Sequence, residues 1–211
     1  DLVLDTLKIG YNFFHGPRPR SLATVTTLTA IELDRNLLDG SLPDWLGLLS
    51  NMRFFTASNN SFTSTLPASL SQWSQLDTFR MLNNMLHGHA NESFVNMSSM
   101  LSLELSNNML SGSLPGSSQQ WVFLQDYSVF LNKFSGTLSE SFGVYSRNTL
   151  VSLNLNDNLL EGTISDVYSD MPVMSFFSIA NNRFSGPLPS FFATPSMSIL
   201  VAANNEFTGT S

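Results

Sequence analysis

Apolar residues recur along the chain in a fixed figure around an asparagine. The asparagines are Asn12, Asn36, Asn60, Asn84, Asn108, Asn132, Asn158, Asn182 and Asn205, spaced 24 residues apart except for one interval of 26 and one of 23. Apolar side chains stand eight, five and three places before each and two after it, as Leu28, Ile31, Leu33 and Leu38 do around Asn36 and Met100, Leu103, Leu105 and Leu110 around Asn108. The apolar–polar–apolar step has the two-residue period of a half-buried strand. It predicts one short strand per copy, centred near Lys8, Glu32, Thr56, Arg80, Glu104, Ser128, Asn154, Ser178 and Val201. The first apolar residue of each step points inward: Leu7, Ile31, Phe55, Phe79, Leu103, Tyr127, Leu153, Phe177 and Leu200.

The rest of the figure describes a turn and a return path. Glycine stands four places after the asparagine in every copy but one, where Ser64 replaces it, and offers a bend free of Cβ. Pro19, Pro43, Pro67, Pro115 and Pro189 follow three places later and set φ on the way back. The returns, such as 43–50 and 67–75, are expected as short helical or 3₁₀ turns. They carry a second apolar column of Leu22, Leu46, Leu70, Phe94, Phe142, Tyr168 and Phe192. Phe14, Phe62, Phe134, Phe184 and Phe207 share a column with Leu38, Leu86, Leu110 and Leu160, which reads as a stacked spine. Two extra residues near 143–148 are expected to bulge outward and leave the strand ladder intact.

The figure L-x-x-L-x-L-x-x-N-x-L-x-G-x-L-P resembles a leucine-rich repeat of the plant-type subclass, and the resemblance covers nearly the whole chain. It is similar both to plant receptor ectodomains and to the surface leucine-rich repeat glycoproteins of kinetoplastid protists. The chain lacks the cysteine pairs usual in the caps of the plant ectodomains, which favours the protist proteins. The resemblance implies an α/β-type solenoid, a right-handed horseshoe or rod with one parallel sheet on the concave face. The nine asparagines are then an inward ladder that bonds turn backbone groups. Residues 1–211 are expected to form a single solenoid of about nine repeats on the order of 40 Å long, both terminal caps lying outside it. Its apolar end cross-sections would be covered by further repeats of a longer chain or by end-to-end self-association into a fibre or coat.

Composition narrows the function. Nine Lys and Arg against sixteen Asp and Glu give a net charge of −7, and charged residues make up only 12% of the chain. No basic face exists for nucleic acid, and no apolar run is long enough for a transmembrane segment. Apolar residues reach 42%, with seventeen Phe, enough for a large core. The absence of cysteine removes disulfides, thiolate metal sites and cysteine nucleophiles.

Catalytic and metal signatures are missing. His15, His87 and His89 are the only histidines, and His87-Gly88-His89 has only Glu92 near it as a third ligand, so it reads as an exposed turn. The run from Asn154 to Asn158 lacks the closing Glu of a calcium loop, and Asp166 with Asp170 reads as a solvated face. No nucleotide, hydrolase or zinc motif is present. The expectation is a non-enzymatic protein with no cofactor and no metal.

Chemical variety is confined to the outward strand positions. The candidate binding face comprises Phe54, Thr56, Arg80, Leu82, Glu104, Ser128, Phe130, Asn154, Phe176 and Ser178. Varied side chains on a rigid sheet suit recognition of a protein or glycan ligand. A flat ice-binding face would need a regular threonine array, and none runs down these columns. Three N-x-S sequons, at Asn59, Asn91 and Asn96, are expected to be open to glycans. Together these expectations describe an extracellular or cell-surface glycoprotein that binds through its concave sheet.

Overall fold

The apolar–polar–apolar step forms a three-residue strand in each of the nine copies. In this computed structural model, residues 3–116, 121–190 and 194–209 are described. The strands run from Thr6–Lys8 to Ile199–Val201 and pair in sequence order into one nine-stranded parallel sheet. Register follows the repeat: Leu7 pairs with Ile31, Phe55 with Phe79 and Phe79 with Leu103. The 26-residue interval leaves this ladder unbroken, since Tyr127 pairs with Leu153. The two extra residues are absorbed on the return path, where Glu140–Tyr145 forms an α-helix, while five other returns carry 3₁₀ turns among the described residues. Ser139 caps that helix, its hydroxyl accepting from the Ser141 N–H.

A second sheet extends the single-sheet expectation. The residues just after eight of the nine ladder asparagines form further parallel strands, from Asp39–Gly40 to Glu206–Phe207, and in the first coil His15 makes an isolated bridge to Leu37. The segment is extended and recurs at the same spacing as the first, so its backbone groups meet those of the next coil in register, as Ser135 meets Leu159. The glycine at its end has positive φ in all eight coils that carry it, and Ser64 takes φ 78° in the ninth. Space matters there as well as φ. A Cβ on Gly162 would stand 2.9 Å from Thr137 Cγ2, and one on Gly186 would stand 2.9 Å from Thr163 Cγ2.

The core lies between the nine-stranded sheet and the returns. Ile31, Phe55, Phe79, Leu103, Tyr127, Leu153 and Phe177 are buried, while Leu7 is half-buried. Leu200 departs from its expected inward column at 37% exposure, because its strand pairs on one side only and no further coil covers it among the described residues. The mixed Phe and Leu column two places after the asparagine is buried from Leu38 to Phe184, while Phe14 is exposed, and a separate chain of ring contacts runs beside it. Rings contact one another from Phe55 through Trp73, Phe79, Phe94 and Trp121 to Tyr127 and Phe142, joining the strand column to the return column. Within the mixed Phe and Leu column, Phe184 and Phe207 stack with ring centroids 6.5 Å apart. The intervening leucines separate the others. Phe192 lies outside the described residues.

The ladder asparagines tie the coils together. Asn108 Nδ2 donates to Met81 O of the preceding coil and to Leu105 O of its own, both at 2.9 Å, and its Oδ1 accepts from Leu86 N at 3.0 Å. Asn36, Asn60, Asn84, Asn132, Asn158, Asn182 and Asn205 repeat this pattern. The side chain of Asn12, in the first coil, bonds within its own turn, to Ile9 O and Gly10 O.

Candidate functional site

The outward positions of the nine-stranded sheet line an open groove of about 770 Å³. The strand geometry explains its make-up. Alternate side chains stand out from the sheet, so each coil adds residues to a common surface about 4.8 Å from those of its neighbour. Phe54, Leu82, Phe130 and Phe176 supply half-buried apolar patches. Arg80, Glu104, Ser128 and Asn154 lie between them. Nine of the ten candidate face residues therefore come together, and Ser178 does not line the groove.

Two of the ten need correction. Thr56 is 3% exposed and Ser178 is 0% exposed, so neither presents a side chain to a ligand. Thr56 Oγ1 donates to Asp34 Oδ2 at 2.7 Å, and the other carboxylate oxygen of Asp34 accepts from Ser58 N at 2.6 Å. Ser178 Oγ donates to Asn156 Oδ1 at 2.8 Å, which also accepts from Ala180 N at 2.7 Å. In both places a longer polar side chain from the preceding coil folds over a short hydroxyl. A lone coil cannot show this, because the covering group lies 22 residues away. A carboxamide or carboxylate one coil before a Thr or Ser, displaced by two places, is the pattern that would have marked it.

The groove's charges are mostly spoken for. Lys8 Nζ meets Glu32 Oε1 at 2.8 Å. Glu104 Oε1 accepts from Ser106 N at 2.9 Å, and Ser106 and Ser128 share a hydroxyl bond of 2.8 Å. Asn154 Oδ1 accepts from Asn156 N at 3.3 Å. The guanidinium of Arg35 lies 5.3 Å from the Tyr11 ring centroid. Arg80 is exposed, touches Ser102 Oγ at 3.4 Å, and has no ion pair among the described residues. The groove thus offers the exposed guanidinium of Arg80 beside Phe54 and Leu82, with that of Arg35 placed over Tyr11.

Of the other sequence candidates, Asn59 alone reaches this groove among the described residues. His87 and His89 are exposed on Met85–His89 in the second sheet, and the described residues include no cluster of three or more His, Cys, Asp or Glu. Asp170 pairs with Arg147 on the return side at 2.6 Å. Asn96 is exposed at φ 70°, and Asn59 is half-buried at the groove's rim. Asn91 begins a 3₁₀ turn, and its side chain lies outside the described residues. No helix among the described residues is long and apolar enough to cross a membrane.

Comparison with known proteins agrees with this architecture. A sequence model of the Leucine Rich Repeat family matches residues 99–121. No curated protein matches the chain in sequence. Among solved structures, the LRR ectodomain of the Arabidopsis receptor kinase HAESA, in complex with an N-terminal extended IDA peptide hormone ligand, is 30% identical with a TM-score of 0.88. That match covers 97% of this chain and 34% of that one. The ectodomain of the Arabidopsis thaliana receptor kinase GASSHO1/SCHENGEN3, in complex with CASPARIAN STRIP INTEGRITY FACTOR 2, is 25% identical with a TM-score of 0.87, covering 95% of this chain and 24% of that one. A plant ice-binding protein shares the fold at 22% identity and a TM-score of 0.84, covering 98% of this chain and 66% of that one. The chain thus spans 24% and 34% of the two receptor ectodomains. By its repeats, its paired ladders of parallel strands and these matches, the chain is a leucine-rich repeat solenoid that resembles plant receptor ectodomains.

Proposed function

We propose that the nine coils act as one non-enzymatic recognition unit of an extracellular or cell-surface protein, binding a protein or glycan ligand along the nine-stranded sheet. The observation that carries this reading is the groove, where Phe54, Leu82, Phe130 and Phe176 flank the unpaired guanidinium of Arg80. Apolar side chains held half-exposed on a rigid sheet gain by being covered, and a cation without a carboxylate partner gives the contact direction. The likeness to an ectodomain solved with a peptide hormone ligand supports a peptide as occupant.

Peptide and glycan arrays probed with the chain test the reading. For any ligand found, Phe130→Ser and Arg80→Ala should each weaken binding about tenfold, equivalent to about 1.4 kcal/mol. Ser178→Ala, a change beneath the surface, should leave affinity unchanged. Ligands that bind both groove variants as tightly as the parent chain would place recognition elsewhere and overturn the proposal.

A further inference from the structure

A second, shorter amide ladder runs one place before the first. Asn107 Nδ2 donates to Asn83 Oδ1 at 2.6 Å, and Asn83 Nδ2 donates to Asn59 Oδ1 at 2.8 Å. A separate run passes from Asn204 to Asn181 and from Asn181 to Asp157, each bond 2.7 Å. The polarity is the same in both, with every amide nitrogen pointing to the preceding coil. The later run ends on the carboxylate of Asp157, which has no N–H left over. The earlier run ends on an amide. The equivalent residue one coil back is Arg35, which offers no acceptor and lies over the Tyr11 ring. Asn59 Nδ2 therefore ends the run with no hydrogen-bond partner among the described residues. Asn59 also lines the groove beside Tyr11, Arg35 and Ser58, and it begins the sequon Asn59-Asn60-Ser61.

We propose that Asn59 carries an N-linked glycan that roofs the groove between Tyr11 and Phe54 and leaves the stretch from Arg80 to Phe176 as the open recognition surface. The proposal rests on the extracellular reading above. In the transfer step, Asn59 Nδ2 bonds to the anomeric carbon of a lipid diphosphate-linked oligosaccharide. The anomeric C–O bond breaks, the lipid diphosphate leaves with the electron pair, and one Nδ2 proton passes to a base of the transferase. The product suits the fold. The glycosylated amide keeps its Oδ1, so the bond from Asn83 survives, and the substituted nitrogen is the one amide nitrogen of the run without a hydrogen-bond partner among the described residues. Asn60 is not altered: its own amide stays bonded to Leu33 O and Ala57 O. A sugar at this position is bulky and hydrated, and it stands where a ligand would enter the first coils. Asn96 serves as an internal comparison, since it is exposed on the return side and does not line the groove.

The test uses the full chain secreted from eukaryotic cells, with Ser61→Ala as the variant. That change removes the sequon while keeping Asn59 and its ladder bond. Peptide mapping after amidase treatment in heavy-oxygen water should show conversion at position 59 in the parent chain and its loss in the variant. Hydroxyl-radical footprinting of the folded protein should show Tyr11 and Phe54 protected, with reactivity restored in Ser61→Ala, while Phe130 and Phe176 react equally in both. Conversion at Asn96 but not at Asn59 would overturn the site and leave the extracellular reading standing. No conversion at any sequon would overturn the extracellular reading itself. Conversion at Asn59 with equal reactivity of Tyr11 and Phe54 in both chains would overturn the roof.

Discussion

Adjacent asparagines in one coil do different things because the backbone turns between them. Asn108 makes two side-chain bonds to the preceding coil as well as bonding within its own, and replacing it with Ala leaves buried backbone groups without a partner. Each such group costs about 1–3 kcal/mol, so Asn108→Ala should lower the denaturation midpoint clearly. Asn107 is exposed but sits at φ 52°, where Ala is strained by roughly 1–2 kcal/mol and Gly is not. Asn107→Gly should therefore cost under about 0.5 kcal/mol, and Asn107→Ala should fall between the other two. Urea titrations of the three variants check the order; equal midpoints for Asn108→Ala and Asn107→Gly would refute it. The same column explains a misfit. Leu131 holds φ 52° and is 45% exposed, the left-handed conformation that asparagine tolerates and a bulky apolar residue does not. Leu131→Asn should raise stability by about 1 kcal/mol, read as a higher thermal midpoint, and would extend the amide run from Asn107.

At the scale of the element, the second sheet depends on its glycines for two separate reasons. Gly136 and Gly162 both have φ near the left-handed region, at 82° and 85°, yet a Cβ on Gly136 meets nothing within 4 Å while one on Gly162 meets the methyl of Thr137 at 2.9 Å. Gly136→Ala should thus cost only backbone strain, about 1 kcal/mol, and Gly162→Ala should cost more. Thr137→Ser removes the offending methyl. A double-mutant cycle of Gly162→Ala with Thr137→Ser should show a coupling of at least about 0.5 kcal/mol, and an additive result would mean that the contact relaxes without cost. The α-helix Glu140–Tyr145 is the other element with a local cause: a 26-residue interval needs a longer return, and the helix takes up the slack on the side away from the groove.

For the whole molecule, the core ties stability to alkaline pH through two buried phenols. Tyr127 OH donates to Pro115 O at 2.9 Å and Tyr168 OH donates to Ser139 O. Loss of water around each ring pushes both phenols above their usual range near 10. A raised folded pKa means that the folded state holds its proton longer than the unfolded chain. The stabilising protonated contact is fully present below pH 10 and is lost as pH rises beyond it, by up to about 1.4 kcal/mol per pH unit for each tyrosine. Tyr127→Phe should lose the Pro115 bond at neutral pH, about 1 kcal/mol, and should roughly halve the slope of stability between pH 10 and 11.5. Denaturant midpoints across that range are the measurement, and an unchanged slope would contradict the burial of Tyr127. The groove is likewise a property of the whole stack, since the first eight coils each contribute between one and four residues to it and no single coil forms it alone.

The strand centres, the ladder asparagines, the 3₁₀ returns after Pro43 and Pro67, and the buried column from Ile31 to Phe177 are all legible in the sequence, because the fold repeats every coil. A side chain that must meet its counterpart in the next coil writes its requirement at a fixed spacing, and nine copies make that spacing readable. What the repeat leaves silent is any contact that occurs only once or twice. Thr56 and Ser178 read as exposed by alternation, yet each is closed over by a particular partner, Asp34 or Asn156, from the coil before. The aromatic chain from Phe55 to Phe142 joins two columns whose relative angle is set only when the sheet packs on its returns. The second sheet hides in residues too short a run to declare a strand, and pairs because the first sheet has already brought the coils into register. Asn59 is one of three equal sequons in the sequence. Only the tertiary structure gives it an amide nitrogen without a partner among the described residues at the groove's rim, because that depends on Arg35 turning toward Tyr11 in the coils before it.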